Sequence, residues 1–388
     1  MTQKVCNQAR RHILKGLGAA TLLSPLSSLP AWAVESRRLY IDGLSFLPTD
    51  INDVKASKLD AFIADISGID KIEQADGTIN YKRTYQACIN SIKQAANSVI
   101  ANPDVYLQGL TGADINKARA QQQTAVFFQI QGADCVEDDG ANNEWPLLDS
   151  LHQQGLRVLQ LTHHYGNRYA GGALDNNGLK SLNPPLTTAG QSLIDELNRK
   201  NILIDVSHSS AQTALDTAKA SRSPIVQSHG AARAIVNNAR CSPDEVIRAI
   251  GDSGGVFGVF MMSFWLTNQP TPTIEDYIRQ LGYIAKVGGV NSVAIANDFP
   301  LRGQENLLAL DNNNSEGIKE YLPWWHRLEE QNVLGFDVEP KHVVIPEFNS
   351  IDRMSRIDDA LKKARFKSTD RDRFMGENWQ RVLKQVLV

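Results

Sequence analysis

Two apolar runs in the middle of the chain, Ile202 to Val206 and Pro224 to Val226, each lead into a histidine, His208 and His229. The polar and alanine-rich segment between them, Ser209 to Ser221, is long enough for a helix of about three turns. Strand, helix, strand in that order is a βαβ unit, which makes the two strands parallel and puts their C-terminal ends on one face. In an α/β barrel that face carries function, so two imidazoles there can share one ion. A single strand-end histidine is often just a satisfied structural group. Two in consecutive units, both preceded by serine, point to a shared site.

The N-terminus reads as an address. Arg10 and Arg11 precede an apolar run, Gly16 to Leu23, and a small-residue site, Ala31-Trp32-Ala33, follows. This is the pattern of a twin-arginine export signal cleaved after Ala33. A membrane anchor needs about 20 continuous apolar residues, and Ser24, Pro25, Ser27 and Ser28 interrupt this run. Residues 1–33 are therefore assigned to the signal, with the twin-arginine export machinery as a partner and the periplasm as destination. Residues 34–388 are assigned to one domain.

A domain of that length is large, but it suits one α/β barrel with elaborated loops. Strand-like and helix-like segments alternate along it. Residues 38–42, 124–131, 157–163, 202–206, 224–226, 255–262 and 292–297 read as strands, with 343–345 the candidate for an eighth. Tyr85, Cys88, Ile89, Ile92, Ala96 and Val99 repeat at helical spacing, and residues 273–287 form a helix stopped by Gly288-Gly289. Thr188 with Gln191, and Ser242-Pro243-Asp244-Glu245, read as capping boxes. The expected fold is a (β/α)8 TIM-like barrel in the α/β class.

A net charge of −3 gives no basic footprint, which excludes nucleic acid and a polybasic membrane patch. Of four cysteines, Cys6 lies in the signal. Cys88, Cys135 and Cys241 remain, allowing one disulfide at most and offering no CxxC spacing for a thiolate zinc site.

The strand endings collect Gln131, His163, His208, His229 and Asp298, with Arg240 on the loop after His229. Imidazole and carboxylate suit Zn²⁺, which can bring a water to a reactive pKa near neutrality. A guanidinium suits a substrate carboxylate.

At these residues the sequence resembles the membrane (renal-type) dipeptidases. The resemblance is carried by Leu161-Thr162-His163, Asp205-Val206-Ser207-His208, Gln227-Ser228-His229, Ala296-Asn297-Asp298-Phe299 and the C-terminal Met375-Gly376-Glu377-Asn378-Trp379-Gln380-Arg381-Val382. The intervals between His208, His229, Arg240 and Asp298 fit as well. The resemblance implies a zinc-dependent hydrolase barrel, usually with two zinc ions bridged by a glutamate. In that scheme His208 and His229 are metal ligands, and His163 binds and polarises the scissile carbonyl. Arg240 holds the substrate carboxylate, and Asp298 handles the proton of the attacking water.

Three positions that bind metal in the family pattern differ here: Leu44 and Phe46 replace a histidine and an aspartate of the first zinc site, and Gln131 replaces the bridging glutamate. The family's first strand ends Asp-Gly-His-Asn-Asp, whereas this chain has Asp42-Gly43-Leu44-Ser45-Phe46. Its bridging glutamate aligns with Gln131, a neutral amide that cannot offset repulsion between two dications. One zinc is therefore expected, held by His208, His229 and Gln131, and two are not. Asp134, Glu137, Asp138 and Asp139, just past Gln131, read as a solvated acidic loop.

The function expected is metal-dependent hydrolysis, in the periplasm, of a dipeptide or small peptide-derived amide with a free carboxylate. Two alternatives stay open. One is a tailoring enzyme maturing a peptide-derived secondary metabolite such as a siderophore, since some exported relatives serve siderophore biosynthesis. The other is a non-catalytic carboxylate-binding protein. A homodimer is also left open.

Overall fold

A computed structural model describes residues 37–73 and 79–388. The segment expected to be an export signal, residues 1–33, lies outside the described residues, and residues 38–388 make one compact unit. Its strands, in chain order, are β1 (Ile41–Phe46), β2 (Ala61–Asp65), the hairpin β3 (Asp70–Glu73) and β4 (Ile79–Lys82), β5 (Tyr106–Gln108), β6 (Thr124–Gln131), β7 (Leu156–Gln160), β8 (Leu203–Asp205), β9 (Ile225–Gly230), β10 (Val256–Val259) and β11 (Val293–Ile295).

Hydrogen bonds join β1-β2-β6-β7-β8-β9-β10-β11 in that order. Every pair on the path is parallel, and short β5 adds to the first half of β6. Parallel neighbours need crossovers, and helices supply most of them. The ring closes through hydrogen bonds between β1 and the residues that follow β11. Asp42 accepts from Asn297 N (2.8 Å) and Asn297 Nδ2 (2.7 Å), and Asp298 N donates to Leu44 O (2.9 Å). The fold is a (β/α)8 TIM-like barrel.

Two apolar layers result from the period-2 alternation of the strands. Ile41, Ile63, Phe127, Val158, Leu203 and Val256 point inward and pack with Trp379 of the C-terminal helix Asn378–Val386. The Trp379 indole donates to Ile295 O (2.9 Å), and a side chain at Gly43 would collide with its ring. Outward-facing Phe62, Phe128, Ile204 and Phe257 meet the helices, for example Ile89 and Ile92 of Tyr85–Ile100. Among the described residues no helix is long and apolar enough to cross a membrane.

Some local expectations need correction. The eighth barrel strand is β2, not 343–345. Those residues are buried but irregular, Val343 and Val344 donating to Asn314 Oδ1. The helix Thr188–Arg199 is capped by Thr187, whose Oγ1 accepts from Gly190 N, so Thr188 and Gln191 form no capping box. Ser242 does not cap Asp244–Asp252, because its hydroxyl is bonded to Gln227 Oε1. The helix Ile274–Gly288 does carry a capping box, Thr273 with Asp276.

Candidate active site

The site is built on the C-terminal ends of β1, β2, β6, β7, β8, β9 and β11. Asp205, the last residue of β8, organises its deepest layer. Its carboxylate accepts from Ser207 N (2.8 Å), Ser207 Oγ (2.7 Å), Ser228 N (2.9 Å), Ser228 Oγ and Gln129 Nε2 (2.8 Å). These donors fix β8 against β9 and thereby fix the two histidines that follow. His208 sits at φ +60° on a tight turn, and Ala173 N donates to its carbonyl. His229 lies within β9, and its Nδ1 meets Ser228 Oγ at 2.9 Å.

The two imidazoles converge. His208 Nε2 and His229 Nε2 are 2.8 Å apart, and both side chains are buried. His163, beyond the end of β7, stacks on His208 with ring centres 4.5 Å apart. His164, which drew no assignment from the sequence, joins the group, its Nδ1 lying 3.0 Å from His208 Nδ1. Ligand atoms of His163, His164 and His208 all fall within 4.8 Å of one another.

Burial holds all four imidazoles below the usual histidine range, with the Arg240 charge adding to the effect; His164 is pushed down to about 3. They are therefore neutral at physiological pH, the form in which imidazole ligates a metal. Two converging nitrogens, one ring steered through its other nitrogen, make a donor set that fits a transition-metal ion.

Above the histidines opens a cavity of about 340 Å³, lined by His163, His164, His208, Gln131, Asp298 and Arg83, with Asp65 beside them. Its remaining wall is largely apolar and aromatic, with Phe46, Met262, Phe264, Trp265, Tyr321 and Trp324, and one further carboxylate, Glu320. Asp298, at φ +55°, is pushed up to about 7 by burial, with nearby Asp65 and Asp42 adding to it and Arg240 opposing. Such a carboxyl exchanges a proton near neutrality.

Arg240 is placed differently from the sequence expectation. It is buried beneath the cavity rather than on its wall, lining a small adjoining cleft with His208. Its guanidinium carbon lies 5.4 Å from the ring centres of both Phe260 and Trp265, while Nε and Nη2 have no partner. Gln131 is also engaged: Nε2 donates to Asp65 Oδ2 (2.8 Å), leaving Oε1 as its ligating atom. Leu44 is fully buried and Phe46 faces the cavity, and neither has a donor atom.

The acidic stretch after Gln131 is not a solvated loop. Asp139 is buried and caps the helix Pro146–Gln153 through Leu147 N and Leu148 N, and Glu137 pairs with Lys82. Asp138 alone of the four is fully exposed, and none lines the cavity. Cys88, Cys135 and Cys241 are all buried free thiols.

Besides His164, the sequence reading missed Asp65 and Arg83. Asp65 went unseen because β2 was not recognised. Arg83 follows the β3–β4 hairpin, away from any barrel strand end. His164 had a visible signal, its place directly after His163.

The model of the membrane dipeptidase family, peptidase family M19, matches residues 37–313. A Klebsiella pneumoniae relative, described as an uncharacterized protein in the pqqA 5′ region, is 29% identical over 196 residues, 49% of this chain and 70% of that protein. An amidohydrolase from Pseudomonas aeruginosa superposes with a TM-score of 0.70 at 22% identity, covering 90% of this chain and 97% of its own. A metallo peptidase from Rhodobacter sphaeroides, liganded with a phosphinate mimic of the dipeptide L-Ala-D-Ala, gives 0.69 at 16% identity, covering 90% and 99%. These solved structures share the fold; the family model, spanning well over half of the sequence, carries the assignment, and the chain belongs to the membrane dipeptidase family of metal-dependent hydrolases.

Proposed function

We propose that this protein is a periplasmic hydrolase that opens the amide bond of a dipeptide or a small peptide-derived amide with a free carboxylate, using a single metal. The observation that carries the reading is the convergence of His208 Nε2 and His229 Nε2 at 2.8 Å beneath the cavity that Asp298 lines. His208 and His229 would hold the ion, with Gln131 Oε1 as a weak third donor. A zinc ion there supplies Lewis-acid polarisation. One ion rather than two is proposed because Leu44 and Phe46 supply no ligand atom and Gln131 no charge.

The chain's own groups do the remaining work. Asp298, balanced near pH 7 in a buried position, takes a proton from the attacking water at its carboxylate and returns it to the leaving amine. His163, neutral and at the cavity wall, orients the scissile carbonyl. Arg240, lowered to about 10 by burial and still charged, fixes the substrate carboxylate from below. The aromatic wall excludes water from the reacting bond.

Export through the twin-arginine pathway rests on the Arg10-Arg11 signal, and fractionation of cells expressing the full chain tests it. A second reading, tailoring of a peptide-derived secondary metabolite such as a siderophore, is favoured by the aromatic wall, which suits a ligand larger and flatter than alanine residues. The phosphinate mimic of a dipeptide bound by the Rhodobacter protein favours the first.

The deciding assay incubates zinc-loaded protein with a dipeptide panel and measures release of free amino acids. Turnover lowered by about 1000-fold in His208→Ala and His229→Ala is expected. Turnover that persists in both variants would remove the histidine pair from the chemistry.

A further inference from the structure

The cavity wall carries a cation that no hydrogen bond or ion pair engages. Arg83 lies just ahead of the helix Tyr85–Ile100, is 8% exposed and lines the cavity beside Gln131. It makes no hydrogen bond or ion pair with a described residue, and its Nε is fully buried without a partner. Asp65 and Asp134 act on it only through space, and neither forms a hydrogen bond or ion pair with it. Its stem lies where a side chain at position 132 would stand: a Cβ on Gly132 would be 3.1 Å from Arg83 Cδ. Gly132 has φ +140°, a conformation that favours glycine, and the same Cβ would stand 2.7 Å from Asp134 Oδ2.

A buried charge without a partner is costly, and the fold keeps one here. Its remaining donors face a cavity of about 340 Å³, within the range of small-molecule sites. Arg240 supplies the other unpaired guanidinium, below the histidines.

We infer that Arg83 binds an anionic group of the substrate, so that the substrate is a small dianion: an amide-containing molecule with one carboxylate directed to Arg240 and a second acidic group directed to Arg83. Arg240's part in this rests on the reading given under Proposed function. An acidic side chain or a second carboxylate on a peptide-derived amide meets the requirement. The fork of a guanidinium gives such an acid two parallel hydrogen bonds, which a neutral side chain cannot supply. The aromatic wall leaves the middle of the ligand free to be apolar.

The test compares glutarate with pentanoate, acids of equal carbon count that differ by one carboxylate. Binding to the zinc-loaded protein is read by calorimetry and by fluorescence of Trp324 and Trp265. Glutarate is expected to bind the unaltered protein about tenfold or more tightly than pentanoate. Arg83→Gln is expected to abolish that preference and leave pentanoate affinity within about twofold. If Arg83→Gln does not fold, Arg83→Lys, which keeps the charge and loses the fork, is expected to cut the preference severalfold.

Pentanoate bound as tightly as glutarate overturns the inference and leaves the single-carboxylate reading standing. So does a glutarate preference that survives in the variant. Binding of neither acid overturns both.

Discussion

Arg240 shows why a residue's depth matters as much as its identity. Its guanidinium lies against the faces of Phe260 and Trp265, and two of its nitrogens lack partners. The rings fix the plane of the fork, so the two unpartnered donors keep one direction. Lysine at this position would keep a charge but present a single rotatable ammonium. Arg240→Lys is expected to weaken pentanoate binding by about tenfold or more, while the thermal midpoint changes little. Unchanged affinity in a calorimetric titration would take Arg240 out of the site.

At the scale of elements, the site depends on β8 and β9 being held in one register by Asp205. Its carboxylate serves five donors from three residues. Asp205→Ala leaves those donors buried without an acceptor. It is expected to lower stability by about 3 kcal/mol or more and zinc affinity by about tenfold to a hundredfold. Denaturant unfolding and a zinc titration measure the two. A variant as stable as the parent would show that the β8–β9 pairing needs no such clasp.

The legibility of the chain follows the same physics. His208 and His229 could be found in the sequence because each ends an apolar run, and helix spacing gave the helix between them. β2 was not found. Its apolar run, Ala61 to Ala64, is short and half alanine, and only pairing with β1 and β6 makes it a strand. Missing β2 hid Asp65, and with it the bond that occupies the Gln131 amide. The burial of Arg240 and the opening of the cavity at Arg83 depend on loops folding back over the barrel, which no local pattern encodes. Asp139 looked solvated among its acidic neighbours, whereas tertiary packing makes it a helix cap.

For the whole molecule, the three departures that the family resemblance implies act together. Leu44 is packed inside the barrel, Phe46 forms part of the cavity wall, and the Gln131 amide is bonded to Asp65. Restoring the family residues with Leu44→His, Phe46→Asp and Gln131→Glu would bury an imidazole and set a new carboxylate against Asp65. Without a cation between them, two facing carboxylates cannot both ionise. The triple variant is expected to lose about 3 kcal/mol or more of stability without zinc and to show no gain in dipeptide hydrolysis with it. A variant that keeps its stability and hydrolyses dipeptides faster would mean that these positions are only damage to a two-metal enzyme.

His208 and His229 are proposed to hold a single metal. The most direct measurement is elemental analysis of protein exported and purified without added metal, run beside His208→Ala and His229→Ala. About one equivalent of transition metal per chain is expected, falling to near zero in both variants. Two equivalents in the parent protein, or one equivalent that survives both substitutions, would contradict it.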